Sequence, residues 1–384
     1  MESLFWVSAF VVAYVYAGYP LLIAAWARAA GAPPRRAAAS APRRWPSISI
    51  IVAARNEAPR LRRRVANLLT LPYPGSREII VVSDGSIDAP ATALAPFEGR
   101  VRLIELPPGG KPRALNAGVA AATGEILVFA DARQRFDERA LVELVANFDD
   151  EGVGGVTGEL VLDCENARGS SSVGDGVGLY WRYEKWLRRH ESLVRSTLGA
   201  TGAIYALRRA LWRPLPPETL LDDVLAPMRA VLAGKRIVFE DRARAYDRAT
   251  PDAAAESRRK TRTLAGNYQV LVLEPRLLLP VVNPVWLQYV SHKVGRLVVP
   301  WALVAAFGTS AALAFGSWLY TTAFVLQLGF YALAGVGGWL VTAEPRTAAT
   351  RLAKEMRVAY TFVMMNYAAV AGLLALRRGR AVWR

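Results

Sequence analysis

Long stretches without any charged residue decide what this chain can be. Residues Ser3–Ala27, Leu297–Ala343 and Val358–Leu376 contain no Asp, Glu, Lys or Arg. About 20 apolar residues cross the hydrocarbon core of a bilayer. The first stretch is therefore long enough for one span, the second for two with a break near Gly316 and Ser317, and the third is a candidate fourth. A cleaved signal peptide would put a basic residue before a shorter apolar run; here the arginines follow it. The expectation is a retained helix over residues 1–27 and transmembrane helices over 297–376.

The basic flanks set the orientation. Arg28, Arg35, Arg36, Arg43 and Arg44 follow the first stretch, so the positive-inside rule puts the chain up to about residue 296 in the cytoplasm. Arg346, Arg351, Lys354 and Arg357 return it to that side after two more crossings. Arg377, Arg378, Arg380 and Arg384 break the rule after a fourth, which leaves a re-entrant or surface-lying last helix open. Lys plus Arg number 48 against 32 Asp plus Glu, a net charge of +16. Because the arginines flank apolar blocks, that excess points to membrane lipids and excludes nucleic acid as the partner. The apolar stretches hold no acid or base, which disfavours a transporter. One cysteine, Cys164, excludes an internal disulfide, and two histidines, His190 and His292, exclude a His/Cys zinc centre. Any metal would sit on carboxylates. The preference for Ala and Arg over Lys points to a bacterium, and hence to its inner membrane.

Between the apolar blocks, short β-branched runs alternate with amphipathic segments, the rhythm of an α/β domain with a mostly parallel, Rossmann-like sheet. Strands are expected at Ile48–Ala53, Glu78–Ser83, Val101–Glu105 and Glu125–Ala130, and helices near Glu57–Thr70, Lys111–Ala122 and Asp137–Phe148. The expected organisation is a basic linker at 28–46, the α/β domain at 47–270, an interfacial segment at 271–296 broken by Pro280 and Pro284, and a basic tail at 377–384. In open parallel sheets the carboxyl ends of the strands form the ligand crevice. Arg55, Asn56, Glu57, Asp84, Asp88 and Asp131 stand at those ends.

Familiar phosphate and nucleophile motifs fail. Gly109, Gly110 and Lys111 lack the first glycine and the Ser or Thr of a Walker loop, and Ser170–Ser172 lacks the glycines of a nucleophile elbow. What holds is a series of acidic residues at loop positions: IIVVSDGSID at 79–88, ILVFADAR at 126–133 and LLDDV at 220–224. With this set and the membrane layout around it, the chain resembles the membrane-integrated family 2 glycosyltransferases, the group of the cellulose, chitin and hyaluronan synthases. The resemblance spans roughly Ser47–Gln269 and implies a GT-A catalytic domain.

The resemblance also implies roles. Ala54, Arg55, Asn56 and Glu57 match the segment that lines the nucleoside pocket, and Asp84 the aspartate on the uracil side of a UDP-sugar. Lys111, in GGKPRALNAG, is similar to the basic residue that meets the diphosphate. Asp131 matches the first Asp of DxD, the holder of Mg²⁺ or Mn²⁺, while Arg133 replaces the usual acid at the third position. Gly202, in GATGAIY at 199–205, matches the small-residue segment beside the donor sugar. Asp222 and Asp223 match the acidic pair whose second member is the general base. Of the QxxRW element, aligned at Arg259–Thr263, only Arg262 is retained, so no Trp is available there as a platform for a growing polymer.

The implied function is inverting transfer of a sugar, a hexose or N-acetylhexosamine, from a UDP-sugar to a lipid-linked or membrane-associated glycan acceptor. Asp223 acts as base and a divalent cation sits at the diphosphate. A processive synthase exporting its polymer, or a degenerate scaffold, are the alternatives.

Overall fold

A computed structural model describes residues 1–35, 44–162, 174–247, 253–343 and 351–377. Residues 36–43 of the linker, Cys164, the Ser170–Ser172 run and the residues after Arg377 lie outside them.

The chain opens with α1 (Glu2–Ala13) and α2 (Tyr19–Ala30), joined by a π turn at Tyr14–Gly18. The α/β domain then runs β1 (Ile48–Ala54), α3 (Ala58–Thr70), β2 (Arg77–Asp84), α4 (Pro90–Leu94), β3 (Arg102–Leu106), α5 (Lys111–Ala121), β4 (Ile126–Asp131), β5 (Arg135–Phe136), α6 (Ala140–Val145), β6 (Val153–Leu162), α7 (Gly174–Val194), β7 (Ile204–Arg208), α8 (Asp222–Leu232), β8 (Arg236–Asp247) and α9 (Ala253–Leu273). After it come α10 (Trp286–Tyr289), a π turn at Val290–Val294, α11 (Gly295–Leu313), α12 (Trp318–Ala343) and α13 (Arg351–Arg377).

The eight strands form one sheet in the order β3-β2-β1-β4-β7-β6-β8-β5. The first four are parallel, and β7 turns the sheet antiparallel at β4. Parallel strands covered on both faces read as continuous apolar runs, and β1 (ISIIVAA) is one. Its alternate residues divide between two cores. Ile48, Ile50 and Val52 pack with Leu61, Val65 and Leu68 of α3, whereas Ile51 packs with Leu115 and Val119 of α5. A Cβ on Gly118 of α5 would stand 2.7 Å from Ile51 Cγ2, so only glycine lets α5 lie this close to the sheet.

Every strand and helix named from the sequence is present. The third helix is shorter than expected: Asp137 Oδ1 accepts from Arg139 N–H at 3.2 Å, which holds a turn ahead of α6, and a 3₁₀ turn at Ala146–Asp149 ends it.

Among the described residues four helical runs are long and apolar enough to cross a membrane: Glu2–Ala30, Trp286–Gly316, Trp318–Val341 and Glu355–Arg377. Large apolar side chains on them face outward, among them Val304, Trp318 and Leu326, as lipid contact requires. The segment expected at the interface, 271–296, is divided. It opens on the last residues of α9, forms turns from there up to Val285, and from Trp286 belongs to the second run, which therefore brings His292, Lys293 and Arg296 with it. An acid- or base-free second run holds only from Leu297 onward. α13 joins two parts of the molecule: Met356 and Tyr360 lie against Gly337 and Gly338 of α12, and Gly372 lies against Thr261 and Ala265 of α9.

Candidate active site

The carboxyl ends of β1, β2 and β4 open on one side of the sheet, and the loops there carry the acidic residues. Asp84 ends β2, is buried, and accepts from the N–H groups of Gly109 (2.7 Å) and Gly110 (2.9 Å to Oδ2). It thereby fixes the loop that delivers Lys111 to the start of α5. Asn56, at φ 54°, accepts from Ile87 N–H at 3.0 Å and its own N–H donates to Ser86, while Asp88 accepts from Ala58 N–H at 2.7 Å. These bonds join the β1–α3 and β2–α4 loops. Ala54 ends β1 beside them, Glu57 is ion-paired to Arg60, and Arg55 Nη1 lies 3.9 Å from Asp84.

Beyond Lys111 lies a cleft of ≈ 480 Å³, whose lining includes Lys111, Asp131, Gly202, Asp222, Asp223 and Arg262. Six of the residues singled out from the sequence thus face one space. Ala54, Asn56, Glu57 and Asp84 are not among its lining; they belong to the adjoining pair of loops. Lys111 Nζ lies 3.1 Å from Asp131 Oδ1 and 3.4 Å from Asp222 Oδ2. Burial alone would lower the pKa of Lys111, but Asp131, Asp222 and Asp223 hold it above the ordinary lysine value.

Asp222 and Asp223 begin α8, where the helix N-terminus favours negative charge. Asp223 Oδ2 accepts from Gly202 N–H at 2.9 Å, and Ala200 N–H donates to the Asp223 carbonyl at 2.7 Å, so the 199–202 loop and the base candidate are fixed together. The Asp223 pKa is pushed up to about 6, first by burial and then by the Asp222 charge; Lys111 and the Gly202 N–H oppose the rise. A Cβ on Gly202 would stand 3.4 Å from Asp223 Oδ2 and 3.5 Å from Lys111 Nζ, narrowing the space between them.

Three carboxylates against one ammonium leave this end of the cleft two charges negative, a complement to a divalent cation. Among the described residues no three His, Cys, Asp or Glu side chains converge on one metal position. Asp131, two-fifths exposed at the end of β4, fits a cation held by one carboxylate and completed by phosphate oxygens and water. Arg133 is engaged elsewhere, 2.9 Å from Asp247, which also accepts from Gln134 Nε2 at 2.9 Å.

Several residues that build the cleft, Gln269, Glu184 and Glu191 among them, left no sign in the sequence. Gln269 of α9 accepts from Leu220 N–H (2.8 Å) and donates to the Glu218 carbonyl (2.9 Å), tying α9 to the loop before Asp222. Aromatic surface absent from the Arg259–Thr263 element comes from α7: Tyr180 and Trp181 line the cleft, with Lys260 4.4 Å over Tyr180. At the far end Glu184, Glu191, His292 and Arg296 interlock. His292 Nδ1 lies 2.7 Å from Glu191, Tyr19 donates to Glu191 at 2.7 Å, and Arg296 pairs with Glu184. Burial would raise Glu184, yet Arg296 and His292 hold its carboxyl well below the usual range.

Residues 49–211 match the family model for glycosyl transferase family 2. The chain carries a family 2 glycosyltransferase domain. The chain is 26% identical over 245 residues to the probable glycosyltransferase YdaM of Bacillus subtilis, a match covering 59% of this chain and 56% of that one. It is 23% identical over 234 residues to the poly-β-1,6-N-acetyl-D-glucosamine synthase of Staphylococcus epidermidis, covering 59% and 55%. The matches thus span little more than half the length of these relatives. In fold, the chain is similar to the mannosyltransferase PcManGT of Pyrobaculum calidifontis, solved with GDP-Man and Mn²⁺, at a TM-score of 0.70 and 22% identity over 98% of this chain and 99% of that one. The family 2 domain is of the GT-A type, and the likeness extends through the apolar helices.

Proposed function

We propose that the protein is a membrane-bound, inverting glycosyltransferase that moves a sugar from a UDP-sugar to a lipid-linked or membrane-associated glycan acceptor, with its α/β domain on the cytoplasmic face. The observation that carries the reading is Asp223: a half-buried carboxylate with its pKa pushed up to about 6, fixed by Gly202 and facing the cleft beside Lys111 and Asp131. A base of that pKa takes a proton efficiently near neutral pH.

In this reading the β1–α3 and β2–α4 loops, with Ala54, Asn56, Glu57 and Asp84, receive the nucleoside. Lys111 and Arg262 meet the diphosphate, and Gly202 leaves room for the sugar. Asp131 would hold Mg²⁺ or Mn²⁺, which supplies charge neutralisation for the departing diphosphate. The acceptor hydroxyl attacks the anomeric carbon from the face opposite the diphosphate. A new C–O bond forms as the bond to the diphosphate breaks, the proton passes to Asp223, and the nucleoside diphosphate leaves with the electron pair. Asp222 keeps Lys111 in place beside the base. Helices that hold the acceptor at the cleft mouth raise its local concentration, which is where much of the gain in rate originates.

Tyr180 and Trp181 in the cleft wall favour a second reading, processive synthesis on an aromatic platform. The length distribution of the product separates the two. Calorimetric titration of the purified protein with UDP, GDP and CDP, in Mn²⁺ and in EDTA, tests the donor. Metal-dependent, uracil-selective binding is expected, and absence of nucleotide binding under every condition overturns the proposal.

A further inference from the structure

The cleft is polarised. Its inner end holds three carboxylates against Lys111, while its opposite end, where the α/β domain meets the apolar helices, is basic. Glu191 is already engaged by Tyr19 and His292. Glu184 and Glu191 together face Arg188, Lys293 and Arg296, two carboxylates against three cations from α7 and the helical run that begins at Trp286. Arg296 takes Glu184. Arg188 and Lys293 line the cleft and form no ion pair or hydrogen bond with the described residues.

Like charges brought together in a partly buried site destabilise the fold unless an anion neutralises them. Lys293 stands one residue after the buried His292 and inside a π turn, a geometry that recurs at functional sites. An ionisable residue at the end of a membrane-length helix that faces a cavity marks a ligand path. The same end is lined by Met365 of α13 and by Leu264, apolar surface beside the cations. Cations and apolar surface together match an amphiphile with a negative head.

Resting on the transferase reading of this cleft, we infer that Arg188 and Lys293 bind the phosphate of a lipid headgroup, and that the acceptor is a phosphate-bearing amphiphile whose hydroxyl points toward Asp223. The phosphate does not react. It anchors the acceptor, while the hydroxyl undergoes the displacement described above. A glycerophospholipid with a headgroup hydroxyl and an isoprenyl diphosphate-linked sugar share this chemistry.

The test is native mass spectrometry of the full chain in neutral detergent, with phosphatidylglycerol, a long-chain isoprenyl diphosphate-linked sugar and phosphate-free diacylglycerol. Wild-type protein should retain one of the two phospholipids at least ten-fold better than diacylglycerol, and which one is retained identifies the source. Combined Arg188→Gln and Lys293→Gln should lose that preference. Lys293→Arg should keep it, as should Arg28→Gln, a basic residue beside the membrane and outside the cleft. Nucleotide titration of the same variants checks that they fold. Retention unchanged in the double variant, or diacylglycerol retained equally by wild type, overturns the inference. Failure of every protein to bind nucleotide would overturn the transferase reading instead, while lipid retention would still report on the subsite.

Discussion

Lys111 and Asp131 meet across the cleft, Nζ to Oδ1 at 3.1 Å, although one begins a helix and the other ends the following strand. The contact places a fixed positive charge between the residue proposed to hold a metal and the Asp222–Asp223 pair. Every electrostatic property of the inner cleft passes through it.

Replacing Asp223 by Asn removes the proton acceptor and keeps the shape. Transfer of labelled sugar should fall to background, while calorimetric UDP affinity stays within about two-fold. Collapse of UDP affinity would reassign Asp223 to donor binding.

Because the pKa of Asp223 is raised to about 6, its basic form is depleted as pH falls through that value. A pH–rate profile should show activity rising through about pH 6 to a plateau. Lys111 favours the charged carboxylate, so Lys111→Met should move that limb to higher pH. An unmoved limb would mean another group sets the profile.

Asp131→Ala should abolish the difference in UDP affinity between Mn²⁺ and EDTA. Identical titrations for variant and wild type, with both still metal-dependent, would place the cation elsewhere.

Gly118→Val should strain the α5–sheet contact, where even a Cβ lies 2.7 Å from Ile51. Overpacking of this kind costs about 1–3 kcal/mol, so a thermal melt should shift down by several degrees. An unchanged melt would show that α5 can move outward freely.

The parallel half of the sheet was legible because its strands are unbroken apolar runs, each ending in polar residues; Ile48–Ala54 and Ile126–Asp131 are instances. The mixed half was not. β6 begins VGGVTG and β8 reads RIVFEDRARAYD, and neither glycine nor interleaved charge follows a simple alternation. Asp84, Lys111, Asp131 and Asp223 could be named because each stands at an element end. The basic end of the cleft was hidden, since His292 reaches Glu191 and Arg296 reaches Tyr180 only after about a hundred intervening residues. The aromatic cluster Tyr180, Trp181, Tyr183 and Trp186 was legible as suited to a headgroup-level position or an acceptor groove, or to a helix packed on the sheet, and Tyr180 and Trp181 line the cleft from α7.

α13 touches α12 with its first half and α9 with its second, and α9 carries Arg262 and Lys260 into the cleft wall. One lever therefore has an arm among the lipids and an arm on the reaction chamber. In the proposed reading, a bilayer that thins or thickens is expected to tilt this lever and alter turnover, so the thickness of the surrounding membrane becomes a control to test.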